Sequence, residues 1–358
     1  MKIKVSDLKE FFKRSNKIKS NGVLPIHDYL LIESTPECVA ITKSNGNMYC
    51  KHTIEEDNQG TEKLLVEEKR LSALVGNAKG EFIHFNTKGK KVTLKDAANE
   101  VKLEAMKEVE VNAFKTFPES EGADRITLNP DVLAALFEAR NFSAIVESNF
   151  HYVYAHKKEA GHFIYSSNGH LMYLRKFEEE LPELVLSPEV CSIVCQFQSV
   201  QYYTAGNYDF FDTGATVYGF IKSEYKAPEY MQIIRSINQD EQITMNRAEV
   251  ISFCELVSSL AVAKFPVLKF EETAEDTLLM QYEESEYNVK TEREVKVKKN
   301  LWPETFAFNS GYLTQVLKCF TTEEVNLSAN ADQKLWCFTH PDEPTLTILI
   351  AKVLYLNN

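Results

Sequence analysis

A short pattern recurs six times along the chain: two apolar residues in alternation, a residue of helix-capping type, then apolar residues at helical spacing. The copies are Ile3-Lys4-Val5-Ser6, Leu64-Leu65-Val66-Glu67, Ile126-Thr127-Leu128-Asn129, Leu184-Val185-Leu186-Ser187, Ile243-Thr244-Met245-Asn246 and Phe306-Ala307-Phe308-Asn309. Their last residues stand about sixty positions apart, so six units fill the chain. Such a period constrains the fold more than composition does, because every unit must bury the same faces against equivalent neighbours.

After each capping residue the apolar spacing changes from two to between three and four, as in Val132, Leu133, Leu136 and Phe137, or Tyr312, Leu313, Val316 and Leu317. That is the switch from strand to amphipathic helix. Ser and Asn can accept hydrogen bonds from the first-turn amides, and Pro130 and Pro188 fall where no amide is needed. The first copy is less regular, with Leu8, Phe11 and Phe12 out of step. Strand-like runs follow each helix, among them Tyr29–Ser34, Cys38–Thr42 and Met172–Phe177, separated by turn chemistry at Asn45-Gly46, Lys88-Gly89-Lys90 and Asn168-Gly169. Each unit reads as one strand, one helix and three further strands.

A lone unit leaves a sheet face and a helix face uncovered, so units are expected to pair into domains of about 120 residues. Phe117-Pro118-Glu119 and Pro228-Glu229-Tyr230 mark the exits of the first two pairs. The expected class is α+β, with domains at 1–119, 120–238 and 239–358.

With 44% hydrophobic residues and only 13 Gly and 11 Pro in 358, the composition is that of a globular protein and excludes disordered and collagenous chains. No apolar run approaches the ~18 residues of a membrane span, and the charged start Met1-Lys2-Ile3-Lys4 does not read as a signal peptide. A cytoplasmic protein is expected. Seven scattered cysteines fit a reducing compartment, and Cys191 and Cys195, four apart on one helix, read as small apolar core residues. No phosphate-binding loop, dinucleotide fingerprint, nucleophile elbow or zinc spacing is present. Neither cofactor nor metal is expected, and no enzyme motif supports catalysis. The net charge of -12 argues against nucleic acid unless Lys and Arg are gathered on one surface.

The order of the six repeats, with Leu24-Pro25-Ile26, Asn168-Gly169-His170, Pro228-Glu229-Tyr230 and Phe308-Asn309-Ser310-Gly311-Tyr312, resembles the bacterial sliding clamp, the beta subunit of DNA polymerase III, over the full chain. Two departures stand out. Leu171-Met172 replaces the Arg-Leu that usually follows Gly-His, and Ile350-Ala351-Lys352-Val353-Leu354 with a tail replaces the usual Met-Pro-containing end. The resemblance implies three consecutive clamp domains forming a half ring, and a homodimer that encircles double-stranded DNA. It also implies tethering of DNA polymerase and clamp loader through short hydrophobic peptide motifs, with no membrane and no cofactor.

In that family the polar sides of the six helices line the hole. The matching basic residues are Lys9, Lys13, Arg14, Lys17 and Lys19 at the first helix, Lys69 and Arg70 on the second, Arg140 on the third and Arg247 on the fifth. Each alone also reads as an ordinary solvated helix face. Phe150, His151 and Tyr152 fall where the resemblance implies a loop reaching toward DNA, and they read equally as the start of a buried strand. The implied peptide pocket takes Val153, Ser167, Gly169, His170 and Met172 on one side, Pro228, Gln232 and Ile233 on the connecting segment, and Phe265, Asn309, Tyr312 and Ile350 on the other. A clamp-fold scaffold that binds proteins but is not loaded on DNA is the competing reading, because four helices carry few basic residues.

Overall fold

The structure is a computed structural model that describes residues 1–20, 22, 24–56, 60–88, 91–104, 114, 123–158, 160–300 and 305–353. The six repeats fold alike. The first is β1 (Lys2–Lys4), α1 (Val5–Ser15), β2 (Tyr29–Ser34), β3 (Cys38–Ser44) and β4 (Met48–Glu55). The second is β5 (Glu62–Glu67), α2 (Glu68–Gly76), β6 (Phe82–Lys88), β7 (Lys91–Lys95) and β8 (Glu100–Glu104). The third is β9 (Ile126–Leu128), α3 (Pro130–Ala139), β10 (Val153–Lys158), β11 (Gly161–Ser167) and β12 (Leu171–Phe177). The fourth is β13 (Leu184–Leu186), α4 (Pro188–Val194), β14 (Val200–Ala205), β15 (Tyr208–Asp212) and β16 (Thr216–Ile221). A five-residue helix, α5 (Met231–Arg235), precedes the fifth: β17 (Ile237–Asn246), α6 (Arg247–Leu260), β18 (Val267–Ala274), β19 (Thr277–Glu284) and β20 (Val289–Lys299). The sixth is β21 (Phe306–Asn309), α7 (Ser310–Lys318), β22 (Glu324–Asn330), β23 (Leu335–Thr339) and β24 (Leu346–Ala351).

Four helix starts are capped as the sequence predicts. Asn129 accepts from Val132 N at 3.0 Å, Ser187 from Val190 N at 3.3 Å, Asn246 from Glu249 N at 3.0 Å and Asn309 from Tyr312 N at 2.9 Å. Glu67 is an N-cap without a side-chain cap bond, and the first helix begins at Val5 with Lys4 at its N-cap, so Ser6 lies inside it. Counting from Lys4 removes the irregularity of the first copy. In the helix of each of the six repeats the fourth and seventh residues after the N-cap are buried: Leu8/Phe11, Leu71/Leu74, Leu133/Leu136, Cys191/Val194, Val250/Phe253 and Leu313/Val316. Cys191 is therefore one of the apolar positions of the repeat.

The contacts divide the chain into two compact units, Met1–Leu133 with Gln196–Ser223, and Ala134–Cys195 with Glu224–Asn358. The first unit holds a four-stranded sheet, β1-β6-β7-β8, and an eight-stranded one, β5-β2-β3-β4-β16-β15-β14-β9. The second holds a twelve-stranded sheet, β13-β10-β11-β12-β24-β23-β22-β17-β20-β19-β18-β21. Within each domain-sized pair of repeats the first strand of one repeat crosses to the other, as β1 does to β6 and β5 to β2. Larger sheets arise where last strands meet: β4 on β16 in the first unit, β12 on β24 in the second. The pair of repeats in the middle of the chain thus contributes to both units. The expected exit Phe117-Pro118-Glu119 and the residues Gly89, Lys90 and Leu354 lie outside the described residues.

Candidate functional site

The first candidate surface is α1. Val5, Leu8, Phe11 and Ser15 face the core, which turns Lys9 and Lys13 outward on the opposite side, with Lys17 and Lys19 exposed just beyond the helix. Lys69 on α2 is likewise exposed. These five lysines make no ion pair among the described residues. The arginines behave differently. The Nε of Arg14 lies 2.6 Å from Glu10 Oε1, and its guanidinium stands 4.8 Å from the centre of the Phe197 ring. Arg70 is paired with Glu67 at 2.6 Å. Arg140 donates to Phe137 O at 3.0 Å and Ser192 Oγ at 3.0 Å. Arg247 donates to Thr322 O at 2.7 Å and lies 3.4 Å from Leu317 O, so it closes the carboxyl end of α7. Arg14, Arg140 and Arg247 are therefore engaged in holding the protein together, whereas these five lysines carry no ion pair among the described residues.

Of Phe150, His151 and Tyr152, which the sequence places on the loop between α3 and β10, only Phe150 is exposed. Tyr152 is buried, its hydroxyl donating to Glu147 at 3.0 Å, and its ring stacks on Tyr225 at 4.8 Å. His151 Nδ1 lies 2.8 Å from Ala144 O. Beside Phe150, the loop exposes Ile145 and Val146. The strand reading holds for Tyr152, which leads into β10, while Phe150 stays in solvent.

The second candidate surface is in the second unit, where the β11–β12 turn meets the start of α7. Gly169 has φ +86, which favours glycine, and Asn168 Oδ1 accepts from His170 N and Leu171 N at 2.9 and 2.8 Å. Ser167 Oγ donates to Leu171 O at 2.7 Å and accepts from Gly169 N. Ser167 and Asn309 are thus spent on the turn and the helix cap, and what the turn offers is the exposed His170 ring. Its centre lies 6.2 Å from that of Tyr312, with the planes 26° apart. Ala351 N donates to His170 O at 2.9 Å, which brings the end of β24 to the same corner. Ser310 N donates to Pro266 O at 2.9 Å, which places the exposed Phe265 next in chain to a residue bonded to α7. Gln232 and Ile233 lie exposed on α5, and Pro228 O accepts the Tyr165 hydroxyl at 3.1 Å.

Strand register separates the remaining sequence candidates. Met172 pairs across from Leu349, and Leu171 from Ile350. Directly opposed residues share a sheet face and neighbours along a strand do not. Met172 and Ile350 therefore lie on opposite faces, and Val153 lies opposite to its neighbour Tyr154 for the same reason. The face that carries Met172 also carries Tyr154, Tyr165, Leu174 and Leu349, all buried in one cluster. Val153 and Ile350, both fully buried, belong to the other face. Tyr154 and Leu349 are the residues that motif matching passes over, and the period-two alternation is the signal that identifies them. Among the described residues no group of three His, Cys, Asp or Glu side chains is arranged to hold a metal. No helix among them is long and apolar enough to cross a membrane.

No protein-family model matches the chain, and no curated relative does. Solved structures do. The DNA polymerase sliding clamp from Bacillus subtilis superposes with a TM-score of 0.86 at 15% identity, covering 99% of this chain and 98% of that one. The DNA polymerase III subunit beta from Pseudomonas aeruginosa gives 0.86 at 14% identity over 99% and 100% of the two chains. A sliding clamp from Bartonella birtlesii bound to griselimycin gives 0.84 at 14% identity over 99% of each. The chain has the fold of the bacterial sliding clamps along its whole length.

Proposed function

We propose that this protein is a sliding clamp: a non-enzymatic processivity factor that encircles duplex DNA and holds a replicative polymerase, a clamp loader and other partners by short hydrophobic peptides. The full-length likeness in fold carries the reading. The lysines of α1 support the DNA part, because a few exposed cations give weak, sequence-independent contact with phosphates that permits sliding. The corner of His170, Tyr312 and Phe265, with Gln232 and Ile233 on α5, supports the peptide part, as apolar and aromatic groups with few polar ones suit anchoring. The Bartonella birtlesii clamp, bound to griselimycin, has the same fold. Domains at 1–119, 120–238 and 239–358 belong to this reading.

The strand pairing supports dimerisation. The last strand of the first repeat pairs with that of the fourth, and the last strand of the third with that of the sixth. The same rule would set Val289–Val295 of β20, in the fifth repeat, against β8 of the second repeat in another copy. A head-to-tail contact of this kind closes into a ring when its rotation fits. The competing reading, a scaffold never loaded on DNA, draws on the engaged state of Arg140 and Arg247. Loading onto nicked circular duplex DNA, followed by linearisation, separates the two. A clamp stays on the circle and slides off the linear form, whereas a scaffold is retained on neither.

A further inference from the structure

The sheet face that carries Met172 is covered by the chain's own segment 225–236. Tyr230 is its pin: 1% exposed, with its ring centre 4.2 Å from that of Tyr165 and its hydroxyl 2.8 Å from His156 Nε2. Tyr165 donates to Pro228 O at 3.1 Å, the Tyr154 hydroxyl lies 3.4 Å from Lys226 O, and Lys158 Nζ lies 3.6 Å from Glu229. Ala227, Met231 and Ile234 pack on the cluster half-buried, while Gln232, Ile233 and Arg235 point to solvent. The attachment is uneven. The sheet beneath is held by continuous antiparallel ladders, whereas the segment is attached by side chains, through the rings of Tyr225 and Tyr230 and a few hydrogen bonds, and its helix of five residues is too short to persist alone. Its ion pair, Lys158 half-buried and Glu229 exposed, is long at 3.6 Å and contributes little.

We propose that residues 225–236 form a strap over this face, which must lift before a partner's apolar anchor reaches Met172, Tyr154 and Leu349. For its occupant the proposal rests on the peptide-binding reading above. For the strap itself it rests on the buried face and on a cover attached by side chains and not by a strand ladder. A peptide that binds only the lifted state pays for opening, so its apparent affinity falls by the fraction of molecules open. Loosening the strap then tightens binding although no contact with the peptide changes.

The test uses the full chain carrying Met172→Cys, with modification of the introduced thiol followed at that site by mass spectrometry. In this background the thiol should react slowly, and the pair Tyr165→Phe with Tyr230→Phe should accelerate it about tenfold or more, since each removes one hydroxyl bond and keeps the ring. Tyr202→Phe, which removes a hydroxyl bond to Asp209 in the other unit, is the control for general loosening and should leave the rate unchanged. Circular dichroism confirms that each variant is folded. Equal rates with and without the strap bonds, or equal acceleration by the control, overturn the strap. A peptide with Leu and Phe anchors is then added. Protection of the thiol, stronger in the loosened variant, supports both readings. Acceleration without protection keeps the strap and removes the peptide reading.

Discussion

The imidazole of His156 lies against Tyr230 with ring centres 5.6 Å apart and planes 12° from parallel, and its Nε2 is 2.8 Å from the Tyr230 hydroxyl. Burial in this stack disfavours the imidazolium, Lys158 adds to the effect, and Glu229 opposes it; together they lower the pKa of His156 to about 4. The neutral ring is the form the fold selects.

Stability should therefore depend on pH in a defined direction. The folded pKa of His156 lies below its ordinary value of 6.5, so between those values the unfolded chain binds more protons than the folded one. The contribution is present in full above pH 6.5 and is lost as pH falls toward 4. His52, buried beside Thr216 with its pKa also lowered by burial, acts in the same sense. Urea unfolding from pH 7.5 to 4.5 should show stability falling with pH. His156→Gln should flatten the slope by up to about one proton. An unchanged slope in that variant would mean that His156 is charged in the folded state.

The helix caps give a second expectation. Asn309 accepts a hydrogen bond from Tyr312 N, and Asn309→Ala should cost about 1 kcal/mol. Ser6 occupies the matching place in the sequence repeat but lies inside α1, bonded to Asp7 on the surface, and Ser6→Ala should fall within about 0.5 kcal/mol of wild type. Chemical denaturation of the two variants distinguishes them, and equal losses would place a working cap at Ser6.

These two residues also show how far the sequence could be read. The repeat itself was legible because a strand-to-helix switch leaves a change of period that few other structures imitate. The exact start of α1 was not, because Ser suits a cap chemically while the backbone turns at Lys4, where φ is -64° and ψ 140°. Candidate site residues taken from motifs mixed two sheet faces, Met172 with Ile350, since a motif records neighbours in sequence and the pleat sends those neighbours apart. The basic residues divided in a similar way. Composition counts Arg14, Arg140 and Arg247 as cations, but the five donors of a guanidinium make arginine the residue that the fold recruits to close carbonyls and carboxylates.

That division yields the third expectation. Replacing Lys9, Lys13 and Lys17 by Glu should lower affinity for duplex DNA at least tenfold and reduce its dependence on log salt, by about 0.9 for each phosphate no longer neutralised. Arg14→Ala should do the reverse, lowering the melting temperature by removing its interactions with Glu10 and Phe197 while leaving the salt dependence in place. Filter binding or anisotropy across a salt series reads the first effect and thermal unfolding the second. A triple variant with wild-type affinity and slope would show that α1 does not face DNA.

The last expectation concerns assembly. Among the described residues, Val289–Val295 of β20 pair only with β19, and β8 pairs only with β7, so each offers one open edge. An edge strand points alternate amides outward, and proline removes an outward amide without harming the ladder behind it. Of Glu292→Pro and Arg293→Pro, one should break the β19 ladder and lower stability, while its neighbour should keep the fold and block a partner strand. Sedimentation velocity at micromolar concentration should give a dimer for the wild type and a folded monomer for that second variant. If both variants remain dimeric and folded, the copies meet elsewhere, and a strictly monomeric wild type would remove the ring from the proposed function.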